Sequence, residues 1–267
     1  MSASRKLETR KVAKPWGVDA LPPPFTAPEG ERIGEIWFEP PPELDGLLVK
    51  YLFTSEKLSV QVHPSDAQAP EGSRGKEECW LVLDAQPGAA LAIGLKEEAS
   101  VDALREAALD GSIEQMLEWH PVAAGDFFYL SAGTVHAIGA GITLVEVQQN
   151  SDITYRLFDY GRPRELHLDE GMAVAKRGPH DPSLRRKLPG NGEVELVEGP
   201  HFRLDRIEGA PDAPTAARYE GPLLVIPLEG EIALGGDTIA PGECGLALSL
   251  ADADFGRSRK ALLAQTV

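Results

Sequence analysis

Residues 58–64 read Leu58-Ser59-Val60-Gln61-Val62-His63-Pro64, an alternation of apolar and polar side chains that ends at a proline. Such an alternation predicts a β-strand. Because residues two apart on a strand point to the same face, Gln61 and His63 can reach into one cavity together. The stretch therefore predicts a β fold that presents a pair of candidate metal ligands.

Two later segments contain the other residue types that a metal site needs. They are Gly75-Lys76-Glu77-Glu78-Cys79-Trp80 and Ala132-Gly133-Thr134-Val135-His136-Ala137. A glutamate on a neighbouring strand and a distant histidine complete a set of four nitrogen and oxygen ligands. Such a set suits Zn²⁺ or another borderline divalent ion better than a metal that prefers thiolates.

The charge of the chain narrows the classes of partner. The 267 residues are 42% hydrophobic and 25% charged, and the formal net charge is −16. This balance argues against non-specific binding of nucleic acid and against attachment to anionic membranes. An anionic substrate is still allowed, because a few lysines and arginines can dominate the field inside a cleft.

Cellular location is predicted from cysteine content and from the absence of targeting patterns. Cys79 and Cys244 are too few for a disulfide scaffold, which favours a reducing compartment. Residues Met1 to Trp16 are polar and basic and lack the apolar region of a secretory signal. No run approaches the roughly 20 apolar residues of a membrane span. We therefore expect a cytoplasmic protein with no membrane partner.

Short apolar runs between 27 glycines and 22 prolines predict a mainly β protein with a small helical insert. Ser100 can cap a helix from Val101 to about Asp110, which Gly111 ends. A second helical turn is predicted over Ser112–Trp119, and a later helix over Asp169–Ala175. The strands predicted around them are Leu48–Phe53, Ser59–His63, Cys79–Leu83, Ala90–Ile93, Phe127–Leu130, Ile142–Gln149 and Thr154–Tyr160.

A polar stretch rich in proline, glycine and charge divides the chain. We predict a catalytic, metal-binding domain over residues 1–176, a linker over 177–192 and a smaller β domain over 193–267. The strands predicted in the last part are Glu193–Val197, Phe202–Ile207, Leu223–Leu228, Glu231–Leu234 and Gly245–Leu250.

The order of strand, ligand pair, glutamate and late histidine resembles the cupin barrel. In detail the chain resembles the type I mannose-6-phosphate isomerases, particularly their short bacterial form. The matching segments are Lys14-Pro15-Trp16-Gly17, Leu58 to Asp66, Gly75 to Trp80, Gly125 to Ala140 and Val145 to Arg156. The resemblance implies a cupin (jelly-roll-like) β-barrel followed by a second, smaller cupin-like β domain. Ile138 departs from the longer members of the family, which carry a tyrosine there.

The resemblance also implies the site residues. One Zn²⁺ ion per chain is expected on Gln61, His63, Glu78 and His136. Catalytic roles are expected for Lys76, Glu146 and Arg156. Substrate binding is expected from Lys50, Ser59, Lys76 and Arg156. The implied reaction interconverts mannose 6-phosphate and fructose 6-phosphate through a cis-enediol.

These residue types suit that chemistry. Moving a proton between C1 and C2 needs a Lewis acid for the charge that develops on oxygen, a base for the carbon-bound proton and cations for the phosphate. Arg156 is too weak a base for proton transfer, so positioning and charge stabilisation are expected of it. The base stays open among a metal-bound water, Lys76, Glu146 and His136.

Other functions stay open at this point. One is another cupin enzyme, either a phosphoglucose isomerase or an iron-dependent dioxygenase. The dioxygenase is disfavoured because it needs open metal positions and usually a His-rich or two-His-one-carboxylate set, whereas a Gln ligand and a cleft Lys-Arg pair suit a sugar phosphate better. A non-catalytic sugar-binding cupin predicts the loss of a metal ligand or of the arginine, and the sequence contains all of them. The expected partner is a hexose phosphate, and the expected state is a monomer or a homodimer.

Overall fold

The computed structural model describes residues 3–267 as a mainly β protein, as predicted. Met1 and Ser2, which the predicted first domain includes, lie outside the described residues. The strands are β1 Arg5–Lys6, β2 Thr9–Val18, β3 Ile33–Phe38, β4 Leu47–Phe53, β5 Val60–Val62, β6 Glu78–Ala85, β7 Ala90–Leu95, β8 Leu117–Pro121, β9 Asp126–Leu130, β10 His136–Ile138, β11 Ile142–Gln149, β12 Tyr155–Phe158, β13 Arg185–Lys187, β14 Val194–Glu198, β15 Phe202–Ile207, β16 Leu223–Leu234, β17 Asp237–Ile239, β18 Gly245–Ala247 and β19 Ala253–Thr266.

Helices occupy a small share of the chain. The α-helices are α1 Val101–Asp110, α2 Ile113–Met116, α3 Leu168–Val174 and α4 Ala213–Ala216, and the 3-10 helices are Pro42–Leu44, Pro182–Leu184 and Leu250–Asp252. The predicted α1 forms with its predicted ends. The Ser100 hydroxyl accepts a hydrogen bond from the Ala103 amide, and Gly111 adopts the left-handed conformation that ends the helix. In residues 3–267, no helix is long and apolar enough to cross a membrane.

Two antiparallel sheets carry the candidate site. One has five strands in the order β12-β5-β10-β7-β8, and the other has seven in the order β13-β9-β6-β11-β4-β3-β2. One buried core contains side chains from both, including Trp80 of β6 and Ile93 of β7, so the sheets pack face to face. Residues of β5, β6, β10, β11 and β12 thereby come together between the sheets.

The third sheet is built mainly from the C-terminal residues. Its order is β1-β18-β16-β19-β15-β14, with β17 paired to β16. A second core joins it to the seven-stranded sheet of the site through side chains such as Phe53 and Val145 on one side and Ile226 and Leu262 on the other. The third sheet therefore covers the face of that sheet that is opposite the site.

Three details of the predicted elements are wrong. The second helical turn stops at Met116, and Leu117–Pro121 instead pairs with β7 as an edge strand. Leu223–Leu228 and Glu231–Leu234 form one long strand, because Gly230 with φ +79° bends the chain and lets pairing with β19 continue. The strands with no counterpart among the predicted elements, besides β8, are β1, β2, β3, β10, β13, β17 and β19.

The predicted domain boundaries stay a prediction. The segment proposed as a linker contains β13, which pairs with β9 of the site-bearing sheet. Conversely, β1 at the start of the chain pairs with β18 of the C-terminal sheet. Segments from each predicted part therefore contribute to a sheet formed mainly by the other.

Candidate metal centre and cleft

Three buried side chains with metal-binding atoms meet between the two sheets. They are His63 just after β5, Glu78 at the start of β6 and His136 at the start of β10. One ligand atom from each lies within 4.8 Å of the others, and each residue is at most 2% exposed. The antiparallel pairing of β5 and β10 places His136 opposite Gln61, which fixes the position of this histidine in the cluster.

Hydrogen bonds orient both imidazoles. Nδ1 of His63 lies 2.7 Å from the Ile153 carbonyl oxygen, and Nδ1 of His136 lies 2.8 Å from that of Thr134. Since a carbonyl can only accept, each Nδ1 carries the proton and each Nε2 presents a lone pair. Burial lowers the pKa of His63 well below its usual value and that of His136 to about 4, so both rings are neutral near pH 7.

Glu78 completes a set that fits a divalent cation. Its Oε1 lies 3.3 Å from Nε2 of His136, and its Oε2 lies 3.8 Å from Nε2 of His63. Within residues 3–267, no hydrogen-bond donor reaches Oε1. A buried carboxylate oxygen that faces a nitrogen lone pair is costly unless a proton or a metal cation lies between the two atoms. Two imidazole nitrogens and one carboxylate are a ligand set that Zn²⁺ accepts.

Gln61 lies at the edge of this cluster with its amide nitrogen toward it. Nε2 is 3.3 Å from Nε2 of His136, and Oε1 accepts a hydrogen bond from the Ser59 hydroxyl at 3.1 Å. A rotation of the amide by half a turn would present Oε1 to a metal and let Nε2 donate to the same hydroxyl. Gln61 as the fourth ligand stays a prediction.

Lys76 lies between the cluster and the open cleft. Its Nζ is 2.9 Å from Oε2 of Glu78 and 3.3 Å from Nε2 of His63. Burial lowers the pKa of Lys76, but the carboxylates of Glu78 and Glu146 outweigh this effect and the net shift is upward. For Glu78, burial has the larger effect and raises the pKa to about 7, although the positive charge of Lys76 acts to lower it.

Glu146 and Lys50 form a buried ion pair across β11 and β4. Their oxygen and nitrogen are 3.2 Å apart, and the second Glu146 oxygen accepts a hydrogen bond from the Trp80 indole at 3.0 Å. Burial raises the pKa of Glu146, but Lys76, Lys50 and the indole outweigh it and lower the pKa to about 2. Removing one partner of such a pair typically costs about 3–5 kcal/mol, so each ion holds the other in place.

A cleft of about 320 Å³ opens beside the metal-binding cluster. All of the predicted substrate-binding and catalytic side chains line it, together with the predicted metal ligand Gln61: Lys50, Ser59, Lys76, Glu146 and Arg156. Arg156 lies on β12 opposite Gln61, and its Nη1 donates to the Glu165 carbonyl at 2.7 Å. A larger cavity of about 700 Å³ lies between the seven-stranded sheet of the site and the third sheet, but none of the predicted site residues lines it.

Sequence reasoning missed several groups that support the site. Trp80 follows Glu78 by two on β6, so strand alternation could have placed its indole on the same side as Glu78. The carbonyls of Ile153 and Thr134 depend on the paths of loops, for which the sequence has no comparable signal. His167 accepts a hydrogen bond from the Arg156 amide through Nδ1 at 3.2 Å, a contact between residues that are 11 apart in the chain.

Comparison with known proteins identifies relatives of the chain. No protein-family model matches it. It is 39% identical over 198 residues to a curated mannose-6-phosphate isomerase of Streptococcus mutans, a match that spans 69% of this chain and 61% of that protein. The chain thus spans about three fifths of the length of this curated relative.

Solved structures give the same fold over nearly the whole chain. The mannose 6-phosphate isomerase of Bacillus subtilis superimposes with a TM-score of 0.76 at 24% identity, covering 99% of this chain and 100% of that one. A zinc-bound mannose 6-phosphate isomerase superimposes with a TM-score of 0.72 at 14% identity, with coverages of 99% and 100%. The cupin fold predicted from the sequence is confirmed, and the chain is a homologue of curated mannose-6-phosphate isomerases.

Proposed function

We propose that this homologue of the mannose-6-phosphate isomerases is itself a zinc-dependent aldose-ketose isomerase that interconverts mannose 6-phosphate and fructose 6-phosphate. One observation carries the proposal. The buried lone pairs of His63, Glu78 and His136 converge directly beside a cleft lined by Lys76, Lys50 and Arg156. A metal site next to several cations suits a substrate that carries both reacting oxygens and a phosphate.

Zinc is the metal that we propose for the cluster. His63, Glu78 and His136 would hold the ion, with Gln61 as the fourth ligand after its amide rotates. The similarity to a zinc-bound isomerase supports this choice. When bound, the ion supplies Lewis-acid stabilisation of the negative charge that develops on O1 or O2 of the sugar.

Lys76 is proposed as the cation nearest the reacting atoms. It is 5% exposed and is held by Glu78 on the cluster side, while it also lines the cleft. An ammonium fixed in this position stabilises an enediolate oxygen by charge and by hydrogen bonding, and no reorganisation is needed when the reaction occurs. Its ion pair with Glu78 favours the protonated form, which suits this role better than that of the base.

Glu146 is proposed to act through its neighbours. Lys50 occupies one of its oxygens and the Trp80 indole occupies the other. A carboxylate with both oxygens engaged and a pKa lowered by Lys76, Lys50 and the Trp80 indole is a weak acceptor for a carbon-bound proton. We therefore assign Glu146 to keeping Lys50 and Lys76 charged and in position beside the substrate.

Arg156 and Ser59 are proposed to bind the substrate in the cleft. Arg156 is half-buried, and within residues 3–267 its Nε makes no hydrogen bond. A guanidinium with unused donors in a cleft suits the oxygens of a sugar or a phosphate. We further propose that the catalytic part is residues 1–176, because all of these side chains lie within it, and that the protein acts in the cytoplasm as a monomer or a homodimer.

Product identity tests the reaction. Zinc-loaded protein is incubated separately with mannose 6-phosphate and glucose 6-phosphate, and the hexose phosphates are identified by ³¹P NMR. We expect fructose 6-phosphate from mannose 6-phosphate and no turnover of glucose 6-phosphate. Turnover of glucose 6-phosphate alone would indicate a phosphoglucose isomerase, and no turnover of either would favour a sugar-binding protein.

A further inference from the structure

A buried carboxylate just after β12 pairs with two arginines, one of which lines the cleft. Asp159 is 3% exposed and follows β12 directly. Its Oδ1 and Oδ2 accept hydrogen bonds from Nη2 and Nε of Arg164 at 2.7 and 2.5 Å, and Oδ1 also accepts from Nε of Arg162 at 3.0 Å. Two charge-assisted bonds in a bidentate pair fix the plane of the Arg164 guanidinium.

The loop that follows Asp159 turns sharply through two residues with positive φ and returns to β12. Tyr160 adopts φ +54°, which is uncommon for a bulky residue, and Gly161 follows at φ +79°. The loop then returns to β12, where the His167 amide donates to the Arg156 carbonyl at 2.8 Å. Local strain of this kind persists only where surrounding contacts enforce it, and it is concentrated at functional sites.

The two arginines on Asp159 have different surroundings. Arg162 donates through Nη2 to the Lys57 carbonyl at 2.8 Å, and its Nη1 lies 3.8 Å from Glu56. Arg164 instead lines the cleft. The pair with Asp159 uses Nε and Nη2 of Arg164, and within residues 3–267 its Nη1 makes no hydrogen bond. Arg164 therefore offers a fixed donor to the cleft.

Arg164 also lies close to Arg156, which lines the same cleft. After burial, the positive charge of Arg164 is the strongest influence that lowers the pKa of Arg156. Asp152 also lines the cleft. In the described residues, neither Arg156 nor Arg164 forms an ion pair with Asp152, since the ion pair of Arg164 is with Asp159. Two like charges held together in a cleft favour a bound anion between or beside them.

We propose that Arg164 determines specificity for phosphorylated sugars by binding the substrate phosphate, and that Asp159 positions it for this contact. The proposal rests on the proposed function, since it assigns the phosphate of the hexose phosphate to the Arg164 side of the cleft. A phosphate carries close to two negative charges and accepts charge-assisted hydrogen bonds well, so the remaining Nη1 donor of an arginine whose plane is already fixed suits it.

Binding of a hexose phosphate that cannot isomerise tests the contact. Sorbitol 6-phosphate is titrated into zinc-loaded wild type, Arg164→Gln and the matched control Arg162→Gln by calorimetry. Because a hydrogen bond to a charged group is worth about 1.5–3 kcal/mol, we expect Arg164→Gln to weaken binding about 10- to 100-fold. We expect Arg162→Gln, which keeps the Asp159–Arg164 pair, to change Kd by less than about threefold. Arg164→Lys should recover part of the lost affinity.

Kinetics on the same proteins separate this role from a structural one. We expect Arg164→Gln to raise KM for mannose 6-phosphate about 10-fold or more while kcat and zinc content stay near wild type. Wild-type affinity in Arg164→Gln, or equal losses in both glutamine variants, would overturn the proposal. If wild type binds sorbitol 6-phosphate in an Arg164-dependent manner but does not isomerise mannose 6-phosphate, the phosphate contact stands and the proposed reaction fails.

Discussion

His136→Ala is expected to lose bound zinc and isomerase activity together. The alanine removes one of the three buried lone pairs that converge in the cluster and leaves Glu78 facing an empty volume. Loss of a Lewis acid forfeits several kcal/mol of transition-state stabilisation, so kcat/KM should fall by at least about 1,000-fold. Zinc per chain is measured by mass spectrometry of the metal, and activity by formation of fructose 6-phosphate.

His120→Ala is the matched control for this loss. His120 lies on β8, stacks on Phe128 and contacts Arg185, and it does not line the cleft. We expect it to keep zinc and most of its activity. One zinc per chain retained in folded His136→Ala would refute the assignment of this histidine as a ligand.

Arg156→Ala is expected to keep its zinc while kcat/KM falls by at least about 100-fold. Arg156 lines the cleft but is not a member of the metal-binding cluster, so its loss should remove preorganised charge without loss of the metal. One such electrostatic group is typically worth about 100- to 1,000-fold in rate. Steady-state kinetics and zinc content on the same preparation measure the two effects.

Arg156→Lys separates the charge from the shape of the group. The lysine keeps a positive charge but lacks the planar fork of donors, so we expect an intermediate loss of kcat/KM. Near-normal kinetics for Arg156→Ala would place the side chain outside the reaction. Loss of zinc in that variant would instead indicate that Arg156 supports the metal-binding cluster.

Much of the site could be predicted because strand alternation carries its information locally. The spacing of Gln61 and His63 predicts one shared face, and both lie beside His136: Nε2 of Gln61 is 3.3 Å from its Nε2, and the two imidazole centroids are 4.9 Å apart. Strand alternation places Glu77 on the face opposite Glu78, and its carboxylate there accepts a hydrogen bond from the Tyr129 hydroxyl. The face on which each of these side chains lies can be predicted from the two-residue period of a β-strand alone.

Other contacts of the site could not be predicted, because they depend on the register between strands that are distant in the chain and on the paths of loops. The Lys50–Glu146 pair forms because β11 aligns residue 146 with residue 50, and the sequence does not specify that alignment. Trp80 reaches the same carboxylate through the register of β11 with β6. The proposed role of Arg164 depends on the path by which the loop after Asp159 returns to β12, and the polar, proline-containing sequence of this loop does not predict that path.

The long strands of the third sheet illustrate a further limit. Residues 253–266 include Gly256 and several charged side chains, which weakens any alternation, yet they form β19. Pairing with β16 and β15 on its two sides supplies the hydrogen bonds that stabilise this strand. Tertiary pairing therefore outweighs local pattern here, as is common for β-structure.

The most direct test of the proposed metal-dependent isomerase is a zinc titration of the wild-type apo-protein. Metal is removed with a chelator, Zn²⁺ is added back in steps, and bound zinc and formation of fructose 6-phosphate from mannose 6-phosphate are measured on the same samples. We predict that activity is absent without zinc, rises in proportion to bound zinc and stops rising at one ion per chain. Full activity in samples that contain no zinc, or zinc bound at one ion per chain with no turnover, would contradict this proposal.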